Sequence, residues 1–215
     1  MSEPPVIPSP AVRAQILATE HWSLLGTRST LWSEVMSRIT IHLTVVSASL
    51  VVLALVAQTS GFGTPFRILS IGLASVALIL GTQTAVRVMN ASHDDSALIL
   101  GMNRIRAAYV ALDPGVAEYL VTSWGDDRAG LMRTYTMGLR RSTLSHVIGS
   151  TSMFVNVVNA LVAGTLGALV ANAAGASAAV TAVVGSLCGL AYLGAWIEYG
   201  RRTFTDPGAG VTRTG

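Results

Sequence analysis

The chain has no lysine, so arginine alone carries its basic charge. Charged residues make up 12% of it, about half of the roughly 25% usual in a soluble domain. The shortage is concentrated. Residues 39–58, 68–86, 144–170 and 178–197 contain no Asp, Glu, Lys or Arg at all. The single cysteine, Cys188, excludes an intrachain disulfide, a redox Cys pair and a cysteine zinc site. Residues 1–10 hold four prolines and no apolar core, which excludes a cleavable signal peptide. The sequence also lacks a phosphate-binding G-x-x-x-x-G-K-[ST] loop, an H-E-x-x-H pair and a nucleophilic serine elbow. His93, Asp94 and Asp95 are adjacent, and adjacent side chains on a helix diverge, so they do not make a metal site by themselves.

The four uncharged stretches are rich in Leu, Val, Ala, Gly and Ser. A helix needs ~20 such residues to cross a bilayer core. Lipid offers no partner for backbone N–H and C=O groups, so a spanning segment must satisfy them internally as a helix. A β-barrel would need alternating segments of ~10 residues, and the chain has none. The fold expected is all-α: an integral membrane four-helix bundle with amphipathic cytoplasmic helices. Thirteen of the fourteen arginines lie before the first stretch, between the second and third, or after the fourth; Arg67 is the exception. Arginine excess marks cytoplasmic loops. Both termini and the central segment are therefore expected in the cytoplasm (N-in, C-in). The formal charge of +3 then reflects topology and not a nucleic-acid partner. Arginine usage with abundant Ala, Gly and Val points to a high-GC bacterium, and so to a multi-pass protein of the bacterial cytoplasmic (inner) membrane.

Along the chain, residues 1–10 read as a disordered N-terminus, because prolines forbid a helix there. Residues 11–38 read as an amphipathic cytoplasmic or interfacial helix, with Gly26 as a point of interruption and Trp22 and Trp32 suited to headgroup depth. Residues 39–88 form a first transmembrane hairpin, with helices at 39–58 and 66–88 joined by a tight Gly/Pro turn. Residues 89–141 form a cytoplasmic helical segment with a break at 90–92. Asp94 and Asp95 are placed at the start of its helix, where carboxylates meet the positive dipole end. Leu98, Met102, Ile105, Tyr109 and Leu112 supply its apolar stripe. Asp113-Pro114 caps a short helix, and Asp126-Asp127 opens another that is expected to run unbroken into the third span. Residues 142–199 form the second transmembrane hairpin, with helices at 142–170 and 177–199. Residues 200–215 are a cytoplasmic tail.

Polar groups inside spans are costly and are the first functional candidates. On the third span Ser145, Gly149, Ser152, Asn156, Asn159 and Ala163 recur at steps of four and three and so share one face. That face either packs against another helix, small residues and amides being suited to it, or lines a hydrated pathway. Thr40, Thr44, Ser47, Ala54 and Gln58 make a similar, less polar face on the first span. His42 and His146 are the intramembrane histidines, read either as proton-active groups or as neutral, hydrogen-bonded rings. Gly185 and Gly189 give a G-x-x-x-G helix contact, within the chain or between subunits. Glu198 beside Arg201 and Arg202 reads as an interfacial ion pair. Arg104 and Arg106 are candidates for anionic lipid headgroups, a protein partner or a nucleotide phosphate, or else form a solvated face.

The segment Gly101-Met102-Asn103-Arg104-Ile105-Arg106-Ala107-Ala108-Tyr109, together with Trp22-Ser23-Leu24-Leu25 and Thr27-Arg28-Ser29, resembles a group of uncharacterised bacterial membrane proteins with four transmembrane helices. These share a G-M-N-R-I-R-x-x-Y cytoplasmic helix between two pairs of spans. The resemblance implies the fold and no activity. With no catalytic constellation, no cofactor motif and no charge within a span, the expected role is non-enzymatic. The leading expectation is a membrane protein that self-associates, with a pore as one outcome and the lipid bilayer and further copies as partners. The alternative is a scaffold or accessory subunit that binds a cytoplasmic protein through residues 90–141.

Overall fold

The computed structural model describes residues 9–137 and 149–204. Among them every regular element is helical. Helix α1 is Pro10–Ser60, α2 is Thr64–Leu112, α3 is Arg128–Thr136, α4 is Thr151–Ala173 and α5 is Ala178–Phe204, with a short 3-10 helix at Pro114–Tyr119. Four of them, α1, α2, α4 and α5, are long and apolar enough to cross a membrane.

The helices differ from the expected boundaries in three places. Gly26 does not interrupt α1, which continues for 51 residues. No break occurs at 90–92; α2 runs through them, and Asp94 and Asp95 lie in its interior. Asn and Ser lower helix propensity only slightly and Ala favours it, and neither Gly nor Pro is present to stop it. Conversely, the helix opened by Asp127 does not continue into the next span. It ends at Thr136, where Met137 adopts a left-handed φ of 50° and donates its N–H to Arg133 and Thr134 carbonyls. Helix α4 starts afresh at Thr151, with the Ser150 hydroxyl accepting from the Met153 N–H at 3.1 Å. Gly149 therefore sits in the turn before α4, not on its face.

The chain divides into two units, and α1 and α2 contribute to both. The second unit, Glu34–Asn90 with Thr143–Gly215, contains the four apolar stretches. Two glycine turns close its hairpins. Gly61 takes φ 65° after α1, and Gly175 takes φ 83° after α4. At the latter, Ala176 N–H bonds to Ala171 O and Gly175 N–H to Asn172 O, the paired bonds of a glycine-ended helix. Helices α4 and α5 pack backbone to backbone. A Cβ on Gly185 would lie 2.9 Å from Gly164 O, and one on Gly189 2.8 Å from Ala160 O. The residues buried in this unit include many small or polar ones, Ser70, Ala77, Thr84, Ala85, Asn156, Asn159, Ala160, Ala163 and His42, beside the larger apolar Val35, Ile39, Val88, Met89 and Val155. Large aliphatic side chains such as Leu50, Leu55, Ile68, Ile79, Leu161, Leu187 and Leu190 point outward.

The first unit, Met1–Ser33 with Ala91–Ser142, has the ordinary polarity. Ile99, Met102 and Leu131 form its core, with Leu24, Leu100 and Tyr135 packed against them. Asn103 is fully buried and fully occupied. Its amide donates to Gly125 O at 2.8 Å, and its oxygen accepts from Arg106 at 2.8 Å and Thr134 at 3.1 Å. It thereby joins α2, the following loop and α3.

Candidate functional site

Each unit holds a cluster of buried polar side chains around an ionisable group. In the second unit, α1, α2 and α4 converge at Gly81. A Cβ there would overlap Asn159 Oδ1 and stand 2.7 Å from His42 Cε1, so only glycine leaves room for both side chains. His42 is 2% exposed, Asn159 0% and Asn156 5%. The Asn159 amide donates to the Tyr192 hydroxyl at 3.2 Å, and Tyr192 bonds Thr82 at 3.1 Å. Asn156 donates to Ser152 at 3.4 Å. Both ring nitrogens of His42 and the side-chain oxygens of Asn156 and Asn159 have no hydrogen-bond partner. Each such group costs about 1–3 kcal/mol when buried, and the two residues that carry three of them, His42 and Asn159, meet at Gly81.

The residues singled out from sequence fall as follows. Ser152, Asn156, Asn159 and Ala163 do share a face of α4, and it is turned into the bundle. Gly149 is outside the helix, and Ser145 and His146 lie outside the described residues. Gly185 and Gly189 meet Gly164 and Ala160 of the same chain. Thr40, Thr44, Ser47, Ala54 and Gln58 are all exposed. Glu198 bonds both Arg201 and Arg202, at 3.0 and 2.7 Å. Arg104 pairs with Asp126 at 3.3 Å and is exposed, while Arg106 is half-buried on Asn103. Among the described residues, no three His, Cys, Asp or Glu side chains come together as a metal site would require.

The first unit's cluster is centred on Asp95, which the sequence reading had placed at a helix start. Asp95 is fully buried and accepts from Arg28 Nε at 2.6 Å, Trp32 Nε1 at 2.9 Å and the Tyr135 hydroxyl at 2.8 Å. Burial pushes its carboxyl up, but the three donors and the Arg28 charge outweigh it and hold the group below the usual carboxylate range. Burial, reinforced by the neighbouring carboxylate, pushes the Tyr135 phenol well up, against the opposing hydrogen bond from Ser96 and the Arg28 charge. One signal for this site is present in the sequence. Ala91, Asp95, Ile99 and Met102 follow helical steps along the buried side of α2, and an acid on such a stripe requires a cationic partner. The partner is 67 positions away on α1, a distance that no local pattern reveals.

Beyond it, Glu34 is gripped by Arg87 at 2.6 Å and Arg38 at 2.8 Å, and these hydrogen bonds hold its carboxyl at about 2. No protein-family profile, curated protein or solved structure matches the chain. The geometry alone therefore carries the functional argument.

Proposed function

We propose that the chain is a multi-pass protein of the bacterial cytoplasmic membrane, with both termini and the first unit in the cytoplasm, which acts without catalysis and self-associates through α1. One observation carries the reading: the polarity of the second unit. Its interior collects hydroxyls, amides, an imidazole and small residues beside three valines, Ile39 and Met89, while many of its large aliphatic side chains, Leu50, Leu55, Ile79, Leu161 and Leu190 among them, lie on the outside. Such an arrangement would be unstable in water, whereas in lipid it is the favoured one, because helices there associate through small residues and hydrogen bonds and not through hydrophobic burial. Helix α1 departs from it along one line. Thr40, Thr44, Ser47, Ala54 and Gln58 face outward together, where hydroxyls and an amide suit another helix better than acyl chains. The polar face of α4 and the Gly185/Gly189 spacing are occupied within the chain, which leaves α1 as the surface for a second copy and for any pore between copies.

Single cysteines at Thr44 or Ser47, in a Cys188→Ser background, are expected to form disulfide-linked dimers under mild oxidation in membranes. A cysteine at Leu161, on the aliphatic side of α4, is expected to form none. A strictly monomeric mass in nanodiscs with no cross-link at either α1 position would end the self-association reading; liposome conductance then decides for or against a pore. A second reading, docking of a cytoplasmic protein, is favoured by the first unit's surface. Trp22 is 74% exposed there and borders a groove of about 200 Å³ with Ala18, His21, Leu25 and Tyr109.

A further inference from the structure

We propose that His42 and Asn159 form a proton-binding site within the bundle, and that proton uptake by the His42 ring loosens the contact of α1 with α2 and α4. A neutral imidazole has one donor and one acceptor nitrogen. Beside it the packing places one acceptor, the buried amide oxygen of Asn159, and no other protein group closes a hydrogen bond to either ring nitrogen. A proton from bulk water turns the acceptor nitrogen of the ring into a second donor. The Asn159 oxygen, crowded with the ring against Gly81, is the acceptor at hand.

The resulting imidazolium has an acceptor but no counter-ion. From α2 the site is faced by the Gly81 backbone. From α4 it is faced by the neutral amide of Asn159, and from α5 by Tyr192 through that amide. The nearest charged groups along α1 and α2 are Arg38, Glu34 and Arg87, and these are paired with one another. A buried charge without an anion is strongly unfavourable unless water reaches it. Protonation is thus coupled to a separation of helices that admits water. Histidine is the side chain whose charge ordinarily changes between pH 5 and 8, and an ionisable group inside a span is a functional candidate by default. The inference rests on the packing of the bundle and not on self-association of α1.

The test uses the full chain in nanodiscs, with nitroxide labels at Leu50 on α1 and Leu161 on α4 in a Cys188→Ser background. Both positions are exposed. Between pH 8 and pH 4.5 the label distance is expected to lengthen or broaden with a single midpoint. The ring resonances of His42, assigned by their loss in His42→Gln, should titrate with the same midpoint. His42→Gln should abolish the distance change, and Asn159→Asp, which places a carboxylate beside the ring, should raise the midpoint by about one pH unit or more. The proposal fails if the ring does not titrate in this range, if it titrates with no change in distance, or if the distance change persists in His42→Gln. Should His42→Gln not fold, comparing the ring titration with the distance change in the unsubstituted histidine protein still decides the matter.

Discussion

Asp95 and Arg28 form an unequal pair. The Asp95 side chain is 0% exposed, whereas that of Arg28 is 37% exposed. Removing the arginine strands a charge that water cannot reach, and removing the acid leaves a cation that can turn outward. Arg28→Ala should therefore destabilise the first unit by about 3–5 kcal/mol, the range for breaking a buried pair. Asp95→Asn, which keeps the shape and some hydrogen bonds, should cost less. Amide exchange along 91–112 would report both; equal costs would contradict the asymmetry. The pH dependence follows from the direction of the Asp95 shift. Because folding lowers this carboxyl below its ordinary value of about 3.9, its contribution is complete above that pH and is lost as pH falls through the lower folded value. Acid unfolding of the first unit should be shallower in Asp95→Asn than in the parent. The apolar stripe of α2 is legible in the sequence at Met102 and Ile105, both buried, whereas at its start Ile99 and not Leu98 is buried. Asp95 was misread because its partners come from α1 and α3, and tertiary pairing overrode the local preference of an acid for a helix start.

At the level of the helix, a residue's neighbours count for more than its type. Gly72 and Gly81 lie on the same helix, yet a Cβ at Gly72 meets nothing within 4 Å and one at Gly81 collides with Asn159 and His42. Gly72→Ala should be neutral or stabilising by up to about 1 kcal/mol, since alanine is the better helix former. Gly81→Ala should destabilise by about 1–3 kcal/mol through overpacking. Thermal melts of the two variants in the same detergent provide the comparison, and a similar melting temperature for both would mean that the His42–Asn159 packing is not as described. Gly164→Val should behave like Gly81→Ala, because any side chain at Gly164 meets Gly185 O at 2.9 Å. The existence of the four apolar helices was legible in uncharged length alone. Their ends were not. The stop at Met137 uses a left-handed residue other than glycine, and the continuation of α2 through 90–92 is supported by the packing of Ala91 and Asp95, both fully buried.

For the molecule as a whole, the arginine distribution decides the orientation of the proposed membrane topology. The two hairpin turns, at Gly61–Thr64 and Ala174–Ser177, have Arg67 as their one nearby charge, whereas the residues leading into α1's apolar stretch and out of those of α2 and α5 carry Arg38, Arg87, Arg201 and Arg202. Each basic residue near the cytoplasmic leaflet gains about 1 kcal/mol from anionic lipid, and translocating them is disfavoured. Both turns should therefore face outward. In a Cys188→Ser background, cysteines at Gly63 and Ala174 are expected to react in intact cells with an impermeant maleimide. A cysteine at Val121, which is 81% exposed on the first unit, should react only after the cells are opened. Gly175 is the wrong position for this probe, since its φ of 83° would strain any side chain. Labelling of Val121→Cys in intact cells would invert the orientation and place the first unit outside. It would also remove the ground for a cytoplasmic partner, because the surface around Trp22 and Tyr109 would then face a different compartment.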